Sequence, residues 1–287
     1  MMGLGIMGSG MAGRLLAAGF PLAVYNRSRD KAARFGEGGA FIAATPREAA
    51  ARAEIVISMV ADDNASRALW FGENGALAGV QRGAIVIESS TLSVGYVREL
   101  AAAAAQKGCE FLDAPVTGTK PHAESGQMLF LVGGSAHAFA AARPVLAVMS
   151  RDAIHLGATG SGALLKLINN FLCGVQAASL AEADALIGAE GLDREKAFAV
   201  LTNGAPGSPV VKTLSARASA GDSALNFELR LMAKDLTYAL AEAKNNGMAL
   251  ETAAAALQIF RHAVDTGRGE QDFSAVIGSV SSAASKP

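Results

Sequence analysis

Lys166, Asn169 and Asn170 stand on a stretch otherwise made of glycine, small and aliphatic side chains: Gly157-Ala158-Thr159-Gly160-Ser161-Gly162-Ala163-Leu164-Leu165-Lys166-Leu167-Ile168-Asn169-Asn170. As a helix, this stretch puts Gly162, Lys166 and Asn170 at i, i+4 and i+8, on one face with no bulk in front of the lysine. A cation beside amides in apolar company has two readings. It is a lysine snorkelling to a partly exposed surface, or a group carried inward that stabilises negative charge and moves a proton.

A second constellation opens the chain. Gly3-Leu4-Gly5-Ile6-Met7-Gly8 matches G-x-G-x-x-G, and a helical run, Met11 to Ala18, follows before Gly19. In a dinucleotide-binding turn the first glycine makes the bend, the second admits a pyrophosphate to the backbone, and the third packs helix on strand. Such a turn should follow a buried strand of roughly five or six residues, and only Met1 and Met2 precede it. The next unit supports the motif: a short apolar strand, Pro21 to Tyr25, ends in Asn26-Arg27-Ser28-Arg29. An NAD site places a carboxylate here for the ribose 2'-hydroxyl, whereas amide, guanidinium and hydroxyl groups form a pocket for a 2'-phosphate, hence NADP.

The elements around these residues alternate. Apolar strands are expected at 54–60, 84–87, 109–113 and 128–132, with helices near 64–70, 93–107 and 135–148. This pattern predicts an α/β fold, a doubly wound, Rossmann-type parallel sheet whose ligands lie at the strands' carboxyl ends. Those ends include Val60-Ala61-Asp62, Ser89-Ser90-Thr91 and Pro115 to Thr119. After Gly160 the strand pattern gives way to helices. One long helix runs over 161–190, Asp193 caps the next, and Ser208-Pro209 opens another. The reading is a dinucleotide domain over 1–157 and an all-α substrate and oligomerisation domain over 158–287.

The 287 residues carry a formal net charge of -1, with 51% hydrophobic and 18% charged residues, the balance of a soluble globular chain. Interspersed signs argue against a nucleic-acid footprint. Glycine or charged residues interrupt the apolar stretches before about 18 residues, which argues against a membrane span. Cys109 and Cys173 fit neither a disulfide framework nor a metal motif, so a reducing compartment, the cytoplasm, is expected.

Four motifs together resemble the β-hydroxyacid dehydrogenase family, which includes the 3-hydroxyisobutyrate dehydrogenases and the glyoxylate and succinic semialdehyde reductases. They are Gly3 to Gly8 with Met11, Asp113-Ala114-Pro115-Val116-Thr117-Gly118, Gly160-Ser161-Gly162 through Lys166 to Asn170, and Lys234-Asp235-Leu236. The resemblance covers essentially the whole chain. It implies Lys166 as catalytic acid/base, and Asn170, Thr117 and Gly118 as substrate ligands, with Phe227 and Asp235 at the lid of the cleft. For NADP it implies Gly3, Gly5, Ile6, Met7, Gly8, Asn26, Arg27, Ser28, Val60, Ala61, Thr91 and Lys234. Thr117 to Glu124 is similar to the glyoxylate and succinic semialdehyde reductase branch.

The implied chemistry is reduction of a small carboxylate-bearing aldehyde. A protonated lysine polarises the carbonyl, stabilises developing alkoxide charge and donates the proton, while the neutral amine serves the reverse direction. Free lysine titrates at about 10.4, so burial must lower it for both directions near neutral pH. No metal is required. His122 and His155 read as structural or solvent-facing, and Lys120 and Arg230 read as exposed charges or partners of a second carboxylate. Alternatives are an NADP-linked 3-hydroxyisobutyrate dehydrogenase and, from another class, a non-catalytic NADP-binding module or an inactive truncated product. A homodimer or homotetramer is expected.

Two departures from the family pattern stand out. Thr117 replaces the usual serine, adding a methyl beside the carboxylate. Members begin several residues earlier, so the first strand is read as missing and about five added apolar residues are expected to stabilise the chain.

Overall fold

Strands such as Ile85-Val86-Ile87-Glu88 are buried along their whole length, which requires cover on both faces of the sheet they join. Residues 1–280 are described in this computed structural model. Two compact units divide at Lys166 and Leu167.

The first unit begins with α1 (Ile6–Ala17), β1 (Ala23–Val24), α2 (Asp30–Glu37), β2 (Phe41–Ile42) and α3 (Pro46–Ala50). It continues through β3 (Ile55–Ser58), α4 (Asp63–Trp70), β4 (Ile85–Glu88), α5 (Val94–Gln106), β5 (Glu110–Asp113) and β6 (Val116–Thr117). Then come α6 (Lys120–Ser125), β7 (Met128–Gly134), α7 (Ala136–Ala147), β8 (Ser150–Gly157) and the start of α8 (Ser161–Ala189).

β1 and β2 pair in parallel, and the larger sheet has the order β3-β4-β5-β7-β6 with β8 on β7. Met2 joins the two. Met2 bridges in parallel to both Tyr25 and Ser58, its N–H donating to Ile57 O at 2.8 Å and its carbonyl accepting from Met59 N at 2.9 Å. Met1 and Met2 are buried, and two isolated bridges of Met2 stand where the first strand was read as missing.

The sheet is mixed, which corrects the expectation of a parallel one. β7 runs antiparallel to β5 and β6. Only the six-residue α6 and its flanks connect β6 to β7, too little for a parallel crossover of a dozen or more residues. The α7 connection is longer, and β8 returns parallel to β7. One core lies between sheet and helices, with Met11, Leu15, Ile87, Leu112, Phe130 and Leu146 in it.

The second unit holds the rest of α8, then α9 (Arg194–Asn203), α10 (Pro209–Ala220), α11 (Leu229–Asn245) and α12 (Glu251–Ala263). The caps follow the sequence. Asp193 accepts from Lys196 N, Ser208 accepts from Val211 N with Pro209 behind it, and Gly221 closes α10 at φ +63°. Leu180, Phe198, Leu214, Met232, Leu236 and Phe260 share the core of this unit, where truncating one of the larger side chains to alanine costs about 2–5 kcal/mol. By length and composition α8 is apolar enough to cross a membrane, contrary to the sequence reading, and 44% of its most apolar window is buried inside the protein.

Candidate active site

Three glycines shape the turn and the first turn of α1, and each meets a different surrounding. Gly3 has φ +84°, and a Cβ there would collide with the Met59 carbonyl. At Gly8 a Cβ would run into the Gly3 carbonyl, so helix and turn pack only without one. Gly5 is the exception. A Cβ added there meets nothing within 4 Å, so neither backbone strain nor packing demands glycine, and the open space suits a pyrophosphate approaching the backbone. Gly5 is also the N-cap of α1 and provides no capping side chain. The first helical amides, from Ile6 and Met7 on, therefore present the positive end of the helix to that space.

Asn26 ties the turn to the end of β1. Its Oδ1 accepts from Leu4 N at 2.8 Å and its Nδ2 donates to Ser28 O at 2.9 Å. Much of its hydrogen-bonding capacity is thus spent inside the protein, holding Ser28 and the glycine turn together. Arg27 and Ser28 are exposed. No carboxylate occupies positions 25–29 at this strand end.

The loops after β3 and β4 are fastened to each other: Val60 N donates to Ser90 Oγ at 2.7 Å. Val60, Ala61 and Thr91 are half-buried beside that bond. Farther along the sheet, Thr117 ends β6 half-buried, and Gly118 follows at φ +134°, a backbone shape open to glycine. Behind them Thr119 N donates to His122 Nδ1 at 3.1 Å, so His122 caps α6, the structural role expected of it.

Asp113 has no role implied by its motif, and the tertiary structure supplies one. It ends β5 with no solvent exposure, and its two oxygens accept from Gly160 N and Ala163 N, each at 2.8 Å. The carboxyl is the cap of α8, the helix that carries Lys166. Burial pushes the Asp113 carboxyl above its usual range, and the backbone donors of Gly160 and Ala163 work against that rise. Gly162 lets the helix sit directly on the sheet, since a Cβ there would strike the Leu131 carbonyl and approach Asp113 O at 2.8 Å. Lys166 follows one turn later, half-buried. The sequence signal that could have found this role was a carboxylate ending the apolar run Phe111-Leu112.

In the second unit Asn170 is buried, and its Nδ2 donates to Asp235 Oδ2 at 2.6 Å. Asn169 Nδ2 donates to Asn170 Oδ1 at 3.0 Å, so the amide has one face fixed from each side. Asp235 has no solvent exposure and pairs with Lys234 Nζ at 3.2 Å. The structure therefore places Asp235, expected at a lid, as the buried support of Asn170. Phe227 is half-buried before α11, its N–H donating to Asp272 Oδ2 at 3.1 Å and its ring set edge-on against Phe273. Among the described residues no group of His, Cys, Asp and Glu is arranged to hold a metal.

Residues 1–157 match the family model described as the NAD binding domain of 6-phosphogluconate dehydrogenase, and residues 160–280 match that described as NAD-binding of NADP-dependent 3-hydroxyisobutyrate dehydrogenase. L-threonate dehydrogenase of Cupriavidus necator is 36% identical over 96% of this chain and 94% of its own length. The chain belongs to the β-hydroxyacid dehydrogenase family. Glyoxylate/succinic semialdehyde reductase 2 of Arabidopsis thaliana is 33% identical over 99% of this chain and 80% of its own. Among solved structures, the Mycobacterium tuberculosis 3-hydroxyisobutyrate dehydrogenase with L-serine superposes with a TM-score of 0.87 at 31% identity, covering 97% of both chains. This member of the family is accordingly an NAD(P)-dependent oxidoreductase acting on CH–OH groups, and the open, uncapped turn at Gly5 fits such a cofactor.

Proposed function

We propose that this dehydrogenase uses NADPH to reduce a small carboxylate-bearing aldehyde, glyoxylate or succinic semialdehyde, with Lys166 as proton donor. The observation that carries the reading is the Asp113 cap on α8, which fixes the start of the helix bearing Lys166. A bound nicotinamide supplies the hydride. Lys166 polarises the carbonyl oxygen, stabilises the developing alkoxide and delivers the proton. Asn170, one turn on and held by Asp235, orients the lysine or the substrate oxygen. Thr117 offers a hydroxyl and Gly118 a backbone N–H to the substrate carboxylate.

NADP is favoured over NAD because the end of β1 carries Arg27 and Ser28, both exposed, where a ribose-binding carboxylate would otherwise stand. Similarity of Thr117 to Glu124 to the reductase branch supports the aldehyde class, as does the 33% identity to the Arabidopsis reductase.

The test measures NADPH oxidation with glyoxylate, succinic semialdehyde, methylmalonate semialdehyde and tartronate semialdehyde. Lys166→Ala should lower kcat by at least about a hundredfold, and unchanged turnover rules the lysine out. Arg27→Asp should weaken NADPH binding about tenfold or more and leave NADH binding intact. Equal NADPH affinity in that variant defeats the 2'-phosphate assignment.

A further inference from the structure

Glu88 ends β4 with no solvent exposure, and nothing in the proposed reaction uses it. Among the described residues no lysine or arginine pairs with it, yet it accepts three hydrogen bonds. Ser90 N donates to its Oε1 at 2.9 Å, while Ser66 Oγ at 2.6 Å and Trp70 Nε1 at 2.9 Å donate to its Oε2.

Those donors have partners in turn. Tyr96 OH donates to Ser66 Oγ at 3.1 Å. Trp70 Nε1 also reaches Ser58 Oγ at 3.1 Å. One carboxyl group therefore ties the ends of β3 and β4 to α4 and α5. Burial pushes the Tyr96 hydroxyl well above its usual range, so it remains a donor at every working pH.

A buried polar cluster of this kind adds little stability over a well-packed apolar one of the same volume. What it adds is direction. Glu88 accepts and does not donate in this arrangement, so Ser66 points its proton to Glu88, Tyr96 points its own to Ser66, and the Ser90 N–H is drawn inward. The Ser90 hydroxyl oxygen is then in place to accept from Val60 N at 2.7 Å, and the loops after β3 and β4 are locked together.

We infer that Glu88 is a positioning residue for the cofactor, acting through Ser90 to fix the Val60–Ala61 loop and Thr91. This rests on the reading that Val60, Ala61 and Thr91 bind NADP.

Ser90→Ala tests the link with little disturbance, because the three bonds to Glu88 survive and the Val60 N–H loses its acceptor. Glu88→Gln tests the centre: its amide nitrogen must face donors either at Ser90 or at Ser66 and Trp70. The readouts are the dissociation constant for NADPH by nicotinamide fluorescence, and the KM for NADPH against kcat at saturating aldehyde. In both variants the dissociation constant and the cofactor KM should rise five- to thirtyfold, with the aldehyde KM at saturating NADPH within twofold of wild type. NADPH affinity within twofold of wild type in folded Ser90→Ala overturns the proposal. So does a fall in kcat alone with cofactor KM unchanged, which marks simple loss of folded protein. If Glu88→Gln does not fold, Ser90→Ala decides. A wild-type chain that binds neither NADPH nor NADH overturns the cofactor assignment itself, a result distinct from failure of the Ser90 link.

Discussion

Asn170 donates its side-chain amide to Asp235 across 2.6 Å, and both residues are buried. Asp235→Ala removes the acceptor and leaves a buried amide donor without it. Hydrogen bonds to charged groups contribute about 1.5–3 kcal/mol, so urea unfolding should show a loss of that size. Kinetically, the aldehyde KM should rise. An unchanged aldehyde KM in a folded variant argues that Asn170 does not meet substrate.

Asp113 presents two acceptors to two backbone donors, Gly160 N and Ala163 N. Asp113→Asn keeps the shape and loses one acceptor, because its Nδ2 then faces an N–H. The cost should be about 1–3 kcal/mol of stability. A fall in kcat should accompany it, since the start of the Lys166 helix is no longer fixed. Calorimetric melting and steady-state kinetics on one preparation check both, and wild-type values for both remove the cap from the account.

The glycine turn offers a contrast within six residues. Gly5→Ala puts a methyl into open space and should cost less than about 1 kcal/mol in folding, while weakening NADPH binding tenfold or more. Gly8→Ala drives a methyl onto the Gly3 carbonyl and should cost about 1–3 kcal/mol or more through overpacking. Melting temperature and cofactor affinity measured together separate the two. If Gly5→Ala binds NADPH as tightly as wild type, the turn does not cradle the pyrophosphate.

The sequence by itself determined what depends on neighbours in the chain. The glycine turn, the Asp193 and Ser208-Pro209 caps, the long helix from Ser161 and the change from strands to helices all rest on spacings of a few residues. Short-range backbone sterics and helical periodicity set these, so they can be read locally. The family followed from motifs of the same short range.

Only the tertiary structure decided the polar partnerships. Asp113 lies 47 and 50 residues from the amides it caps, and Asn170 lies 65 residues from Asp235. A carboxylate at a strand end looks alike in sequence whether it faces water, a cofactor or a helix terminus, and burial and long-range pairing make the difference. The antiparallel β7 and the Met2 bridges were also outside local reading. They are set by how many residues are free to cross the sheet and by which backbone edges lie open for pairing, and neither is written in the residue types.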